Sequence, residues 1–222
     1  NGFPDPVAEV LPDERNKISC ELDSIPALKD ERYDFYNPRR ARLEYKLDYN
    51  LARGKGKVLT WNDASQRIYE IMYQGVNQKS IEKWISTLRE NWMSNQMINK
   101  GEPFSIPARV EEYIKTNIHV EDFDAPEFSD LDFIRTRKVT GEQGIVRLYA
   151  NIFRTLGVRH EIVVTSERDQ IRFDPDFQSW NYLGKYLIYL PEDDKYIDPA
   201  TNTFRIGCIP GELSATYGLF VE

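Results

Sequence analysis

Cysteine is scarce in this chain: Cys20 and Cys208 are the only two among 222 residues. That number excludes a small scaffold built on disulfides. The expectation is two buried free thiols, with a bridge between them as the alternative for an exported protein. No run rich in lysine or arginine occurs, and the net charge is −7 with histidine neutral. Nucleic acid and anionic membrane surfaces attract clustered cations, so both are excluded as partners. No apolar run approaches the roughly 20 residues of a membrane span. There is no internal repeat and no low-complexity segment. The first residue is Asn1 rather than methionine, so a processed or partial form is expected, with no targeting signal left to read. What is present suits a globular chain with a sizeable core: 41% of residues are hydrophobic and 13% aromatic. The length fits one large domain, or one domain plus a piece of another.

The chain is organised around residues 141–158. Ile145, Leu148, Tyr149, Ile152 and Leu156 recur at helical spacing, with Val146 and Phe153 beside them. Arg147, Asn151 and Arg154 are expected on the opposite side. Gly157 stands where a helix stops, because a left-handed residue costs glycine nothing. The β-branched run from His160 to Thr165 follows at once, so a buried helix feeds a strand. Further strands are expected at 178–182, 184–191 and 194–198, with Asp193-Asp194 as a hairpin turn.

Upstream, Lys17–Leu22 reads as a strand and 24–33 as an extended linker, since Pro26 biases Ile25 away from helix. Residues 41–49 alternate strictly, with Ala41, Leu43, Tyr45, Leu47 and Tyr49 sharing one face, which predicts a half-buried strand ended by Gly54 and Gly56. Three helices follow. The first spans about 62–73, with Asn62 as N-cap and Ile68 and Met72 buried. The second carries Ile81, Trp84, Ile85, Leu88 and Trp92 at i, i+3, i+4, i+7 and i+11. The third opens at Pro107 and buries Val110, Tyr113, Ile114 and Ile118. The acidic stretch 121–130 lacks the alternation and glycine turn of a calcium loop, so a solvated loop anchored by phenylalanines is expected, then a short helix at 131–137. Helices first and antiparallel strands second predict an α+β fold.

The order Gly141-Glu142-Gln143, apolar helix, Leu156-Gly157-Val158, strand, Gln178-Ser179-Trp180-Asn181, Tyr196-Ile197-Asp198-Pro199 resembles the transglutaminase-like domains of the papain-like superfamily. Those read Gly-x-Cys, helix, Gly-Ile-Pro, strand, His-x-Trp, then a strand ending in Asp-Pro. The resemblance covers roughly 60–222 and implies a central helix packed on an antiparallel sheet. It sets the family's nucleophilic cysteine at Glu142 and its histidine at Gln178; only Asp198 keeps its type. Ile25-Pro26-Ala27-Leu28-Lys29-Asp30-Glu31 further resembles the segment joining a β-rich domain to such a domain in exported bacterial proteins. It implies that 1–58 is the linker and strand tail of a preceding β-rich domain and 59–222 the transglutaminase-like domain, in a periplasmic or otherwise exported protein.

The chemistry at those positions is poor. Cysteine-dependent acyl transfer needs a thiolate, a base that shuttles its proton and a group that orients the base. A carboxylate at a helix N-terminus is electrostatically favoured but is a weak substitute for a thiolate, and the amide of Gln178 does not titrate. His160 is expected at a surface or edge, His119 as a C-terminal helix cap, and Cys208 without thiolate character. A carboxylate pair drawn from Asp174, Asp176, Glu142 and Asp198 is the glycosidase alternative. The resulting expectation is a non-catalytic binding or scaffolding module that uses no metal and no cofactor. Glu142, Gln178 and Asp198 would line a groove for a peptide, glycan or protein segment, with Trp180 and Gln143 contacting the ligand. A hydrolase or acyl transferase with a relocated site is the alternative, and a purely structural domain with its groove filled by its own side chains is the third.

Overall fold

A computed structural model of the chain describes residues 6–11, 16–25, 27–29, 32, 35–50, 52, 57–95 and 105–221. Pro26, Gly54 and Gly56 lie outside the described residues. Strands β1 (Val7–Val10) and β2 (Asn16–Ser19) form an antiparallel hairpin, so the strand expected to reach Leu22 stops at Ser19. A single helical turn, α1 (Tyr36–Arg39), follows.

The strand expected at 41–49 is absent; one isolated bridge joins Tyr49 to Lys57. The alternation survives but is turned over. Leu43, Tyr45, Leu47 and Tyr49 are exposed, Tyr45 by 84%. The charged residues between them face the domain. Glu44 accepts from the Tyr182 hydroxyl at 2.6 Å, and Lys46 Nζ donates to the Gln178 carbonyl at 3.2 Å and lies 5.2 Å from the Phe177 ring centre. A period of two is a property of extended backbone; which face turns inward depends on what lies beneath it, here a phenol, a carbonyl and a ring edge.

Helix α2 (Trp61–Tyr73) starts one residue before Asn62. Its N-cap is Thr60, whose hydroxyl accepts from the Asp63 N–H while the Asp63 carboxylate accepts from the Thr60 N–H, a reciprocal capping box. Helix α3 (Gln78–Asn95) buries Ile81, Trp84, Ile85 and Leu88 as its spacing predicts. Helix α4 (Ile106–Asn117) starts at Ser105 with Pro107 in its first turn. It buries Val110, Ile114 and the following Ile118, and also Glu111 and Lys115. Strand β3 (His119–Val120) pairs in parallel with β4 (Val139–Thr140). Between them lie a 3-10 turn, Pro126–Ser129, and α5 (Leu131–Arg137), which ends on Lys138 at φ 61°. In the acidic loop, Phe128 is the anchor at 7% exposed, while Phe123 is 57% exposed.

Helix α6 (Glu142–Leu156) is the core of the molecule and ends on Gly157 at φ 71°. It packs against α2 and α3 and against the strand Lys185–Leu190, and its residues from 144 to 153 are buried apart from the half-buried Arg147. Of the polar side, Arg154 is exposed, but Asn151 is buried and Arg147 half-buried, for a physical reason. Asn151 Nδ2 donates to the Met72 carbonyl at 2.8 Å, and the Arg147 guanidinium donates to the carbonyls of Ile71 and Gln74. These are the carbonyls that the end of α2 leaves without helical partners, and a cation there also meets the negative end of the helix dipole.

Strands β5 (Glu161–Thr165), β6 (Lys185–Leu190), β7 (Lys195–Ile197) and β8 (Gly218–Val221) form an antiparallel sheet in the order β7-β6-β5-β8. The expected β6–β7 hairpin is present, with Asp194 at φ 51° in its turn. The strand expected at 178–182 is instead a 3-10 turn, Trp180–Tyr182, capped by Ser179. The fold is mixed and compatible with the α+β class: the four-stranded sheet follows the helices, while β1–β2 precede them and β3 and β4 lie among them. Among the described residues no helix is long and apolar enough to cross a membrane.

Candidate functional site

The N-terminus of α6 is seated by close backbone approach. Gly144 lies against the Phe128 carbonyl and the Thr140 hydroxyl, where a Cβ would overlap both. Glu142, the first helical residue, is thereby held over the start of β6. Its Oε2 accepts from Lys185 Nζ at 3.1 Å. Lys185 reaches a second carboxylate, Glu167, at 3.7 Å. Asp198, at the end of β7, is 3% exposed and contributes to the electrostatics of both Glu142 and Lys185. Its Oδ1 accepts from the N–H groups of Ala200 and Thr201 at 3.1 and 3.3 Å, while its buried Oδ2 has no hydrogen-bond partner.

Burial pushes the Glu142 carboxyl above its ordinary pKa, and Lys185 offsets this only in part. Burial alone would lower the Lys185 ammonium, but Glu142, Glu167 and Asp198 outweigh it and raise the group. Lys185 is therefore a held cation and not a free amine. The arrangement is a half-buried carboxylate paired with a half-buried ammonium, each neutralising the other.

The five residues singled out in the sequence have separate fates. Glu142 is ion-paired with Lys185, while Asp198 is not bonded to either and acts on both only through its charge. Gln178 is in the loop before the Trp180 turn; its carbonyl is bonded to Lys46, its buried Oε1 has no partner, and it is not among the groups bonded to Glu142. Gln143 is half-buried beside Tyr186. Trp180 is 43% exposed, with the Arg67 guanidinium 5.8 Å from its ring centre. Lys185 was missed, because nothing in its neighbourhood marks it. The one usable signal was that a carboxylate at the head of a buried helix needs a counter-charge.

The remaining candidates stay out of this cluster. No disulfide joins the cysteines: Cys20 is half-buried just after β2 and Cys208 is exposed, which corrects the expectation that both are buried. His119 is the exposed first residue of β3, 3.7 Å from Glu121, and not a helix cap. His160 is not a surface residue. Its Nδ1 donates to the Val158 carbonyl at 2.8 Å and its Nε2 accepts from the Tyr73 hydroxyl at 2.9 Å, beside Phe153. Burial holds its pKa below the ordinary histidine value and pushes Tyr73 up to about 12, so both are neutral packing groups near pH 7.

A second polar cluster is fully interior. Lys115 Nζ lies 3.1 Å from Glu111 Oε1 and 2.5 Å from the Phe204 carbonyl, and Glu111 Oε2 accepts from the Ile206 N–H at 3.1 Å. The i,i+4 spacing of this pair was readable, but its burial was not. The pair holds the backbone at Phe204 and Ile206, in the segment that follows β7.

No protein-family profile matches the chain, and no curated protein or solved structure is significantly similar to it.

Proposed function

We propose that the chain carries a transglutaminase-like fold of the papain-like type that has lost its catalytic cysteine and histidine, and that it acts as a non-catalytic binding or scaffolding module. In this reading 59–222 is the module and 1–58 the tail of a preceding β-rich domain, within an exported, periplasmic bacterial protein. The observation that carries it is the ion pair of Glu142 and Lys185 at 3.1 Å. Thiol chemistry would need a sulfur at the head of α6 and an imidazole opposite it. Here the first place holds Glu142, a carboxylate paired with Lys185, and the second holds Gln178, an amide that does not titrate.

The test is to restore the two family residues as Glu142→Cys with Gln178→His. A thiol at a helix N-terminus beside an imidazole has its pKa lowered. The double variant is expected to be alkylated by iodoacetamide at pH 6 at least about tenfold faster than an ordinary cysteine of pKa about 8.5. Alkylation that follows an ordinary thiol titration would separate this helix and loop from thiol-enzyme geometry. The alternative, a hydrolase or acyl transferase built on carboxylates, draws on the raised Glu142 carboxyl beside Asp198. It requires turnover of a glycoside or acyl substrate by the wild-type protein that Glu142→Gln abolishes.

A further inference from the structure

We infer that the cavity between residues 42–44 and the 172–177 loop is a binding site for a neutral saccharide. The inference rests on the reading of the domain as a binding module, but on side chains apart from the Glu142 cluster. The cavity has a volume of about 450 Å³, within the range of small-molecule sites. Its charged lining is two guanidiniums, Arg42 and Arg172, and two carboxylates, Glu44 and Asp174. These cancel, so the cavity has no net sign with which to draw a polyanion or a polycation.

The ring system is anchored from below. Trp61 lies 5.4 Å from Phe173, and Phe173 lies 5.1 Å from Tyr182, centre to centre. Trp61 Nε1 also donates to the Pro175 carbonyl at 2.7 Å, which pins the loop. Tyr217 completes the wall and is 60% exposed, so part of its ring is open to a ligand. Around these rings stand polar groups. Arg42 engages Glu44 through Nε at 2.6 Å. Asp174 Oδ1 accepts from the Asp176 N–H at 3.0 Å, and Oδ2 is not used in that bond.

The open Tyr217 ring, beside a guanidinium and a carboxylate and backed by the buried Phe173 and Tyr182, suits a pyranose. Its C–H face stacks on a ring, and its vicinal hydroxyls both donate and accept, matching a guanidinium on one side and a carboxylate on the other. An extended peptide is recognised mainly through an open strand edge or alternate apolar pockets. This cavity is walled by charged side chains and rings instead.

The experiment is calorimetric titration of the full chain with two neutral tetrasaccharides, β-1,4-linked glucose and β-1,4-linked N-acetylglucosamine, each to about 5 mM. The comparison probe is tetra-alanine. At least one saccharide is expected to bind, with affinity falling about tenfold or more in Tyr217→Ala and in Asp174→Asn. Both positions are peripheral, and circular dichroism reports whether each variant is folded. Binding of neither saccharide, or saccharide binding that both folded variants retain, overturns the inference. Binding of tetra-alanine alone also overturns it while leaving the module reading in place. New reducing ends released by the wild-type chain, together with weaker binding in Tyr217→Ala, support the site and overturn the non-catalytic reading.

Discussion

Replacing Lys115 by methionine should be among the most damaging changes available outside the apolar core. The Lys115 side chain is 0% exposed and that of Glu111 4%, so solvent screens neither. Methionine keeps most of the volume but removes the ammonium. The Glu111 carboxylate would then be buried with only the Ile206 N–H as a close donor, and the Phe204 carbonyl would lose its bond. Breaking one partner from a buried ion pair costs about 3–5 kcal/mol. Glu111→Leu alone leaves a buried ammonium and should cost a similar amount. Combining the two removes the uncompensated charge, so what remains is mainly two backbone groups without partners, about 1–3 kcal/mol each. The double variant is therefore expected to be more stable than the sum of the single losses implies, by about 2 kcal/mol or more. Urea titrations of wild type, both single variants and the double variant, followed by circular dichroism at fixed pH, measure this coupling. Losses that add to within about 0.5 kcal/mol would refute the reasoning, because independent sites behave that way.

Three further outcomes are expected. Thr60→Ala breaks the capping box of α2 and should cost about 1 kcal/mol, and Thr60→Ser should recover most of it in the same urea assay. Gly144→Ala places a methyl group against the Phe128 carbonyl and Thr140 hydroxyl; overpacking of this kind costs about 1–3 kcal/mol, more where backbone must move, and a midpoint unchanged from wild type would contradict the close approach. Folding holds the His160 pKa below 6.5, so just below that pH the unfolded chain binds more protons than the folded one. Stability should then fall as pH drops through that window, and NMR of the His160 ring should show a titration midpoint below 6.5.

How much of this could be read in advance depends on the range of the forces involved. The α3 stripe, the stop of α6 at Gly157 and the β6–β7 hairpin are set by neighbours a few residues apart, and spacing and turn chemistry were enough to find them. The amphipathic sense of 41–49 was not legible, since alternation specifies two faces but not which is inward. Nor was the inward side of α6. Asn151 and Arg147 look solvent-facing until the frayed carbonyls of α2, more than seventy residues earlier, are brought beneath them. Trp180 and Tyr182 have strand propensity, yet Ser179 caps a 3-10 turn and Phe173 stacks on Tyr182, so local hydrogen bonding and ring packing override the preference.

The candidate site divides in the same way. Glu142 at a helix start and Asp198 at a strand end follow from the order of residues, because each is defined by the element it terminates. Lys185 as the partner of Glu142 does not, since it depends on where the first turn of α6 lies over β6, 43 residues later. Short-range preference writes the elements; the pairing of charges across them follows only when the chain closes on itself and each buried charge must find an opposite one.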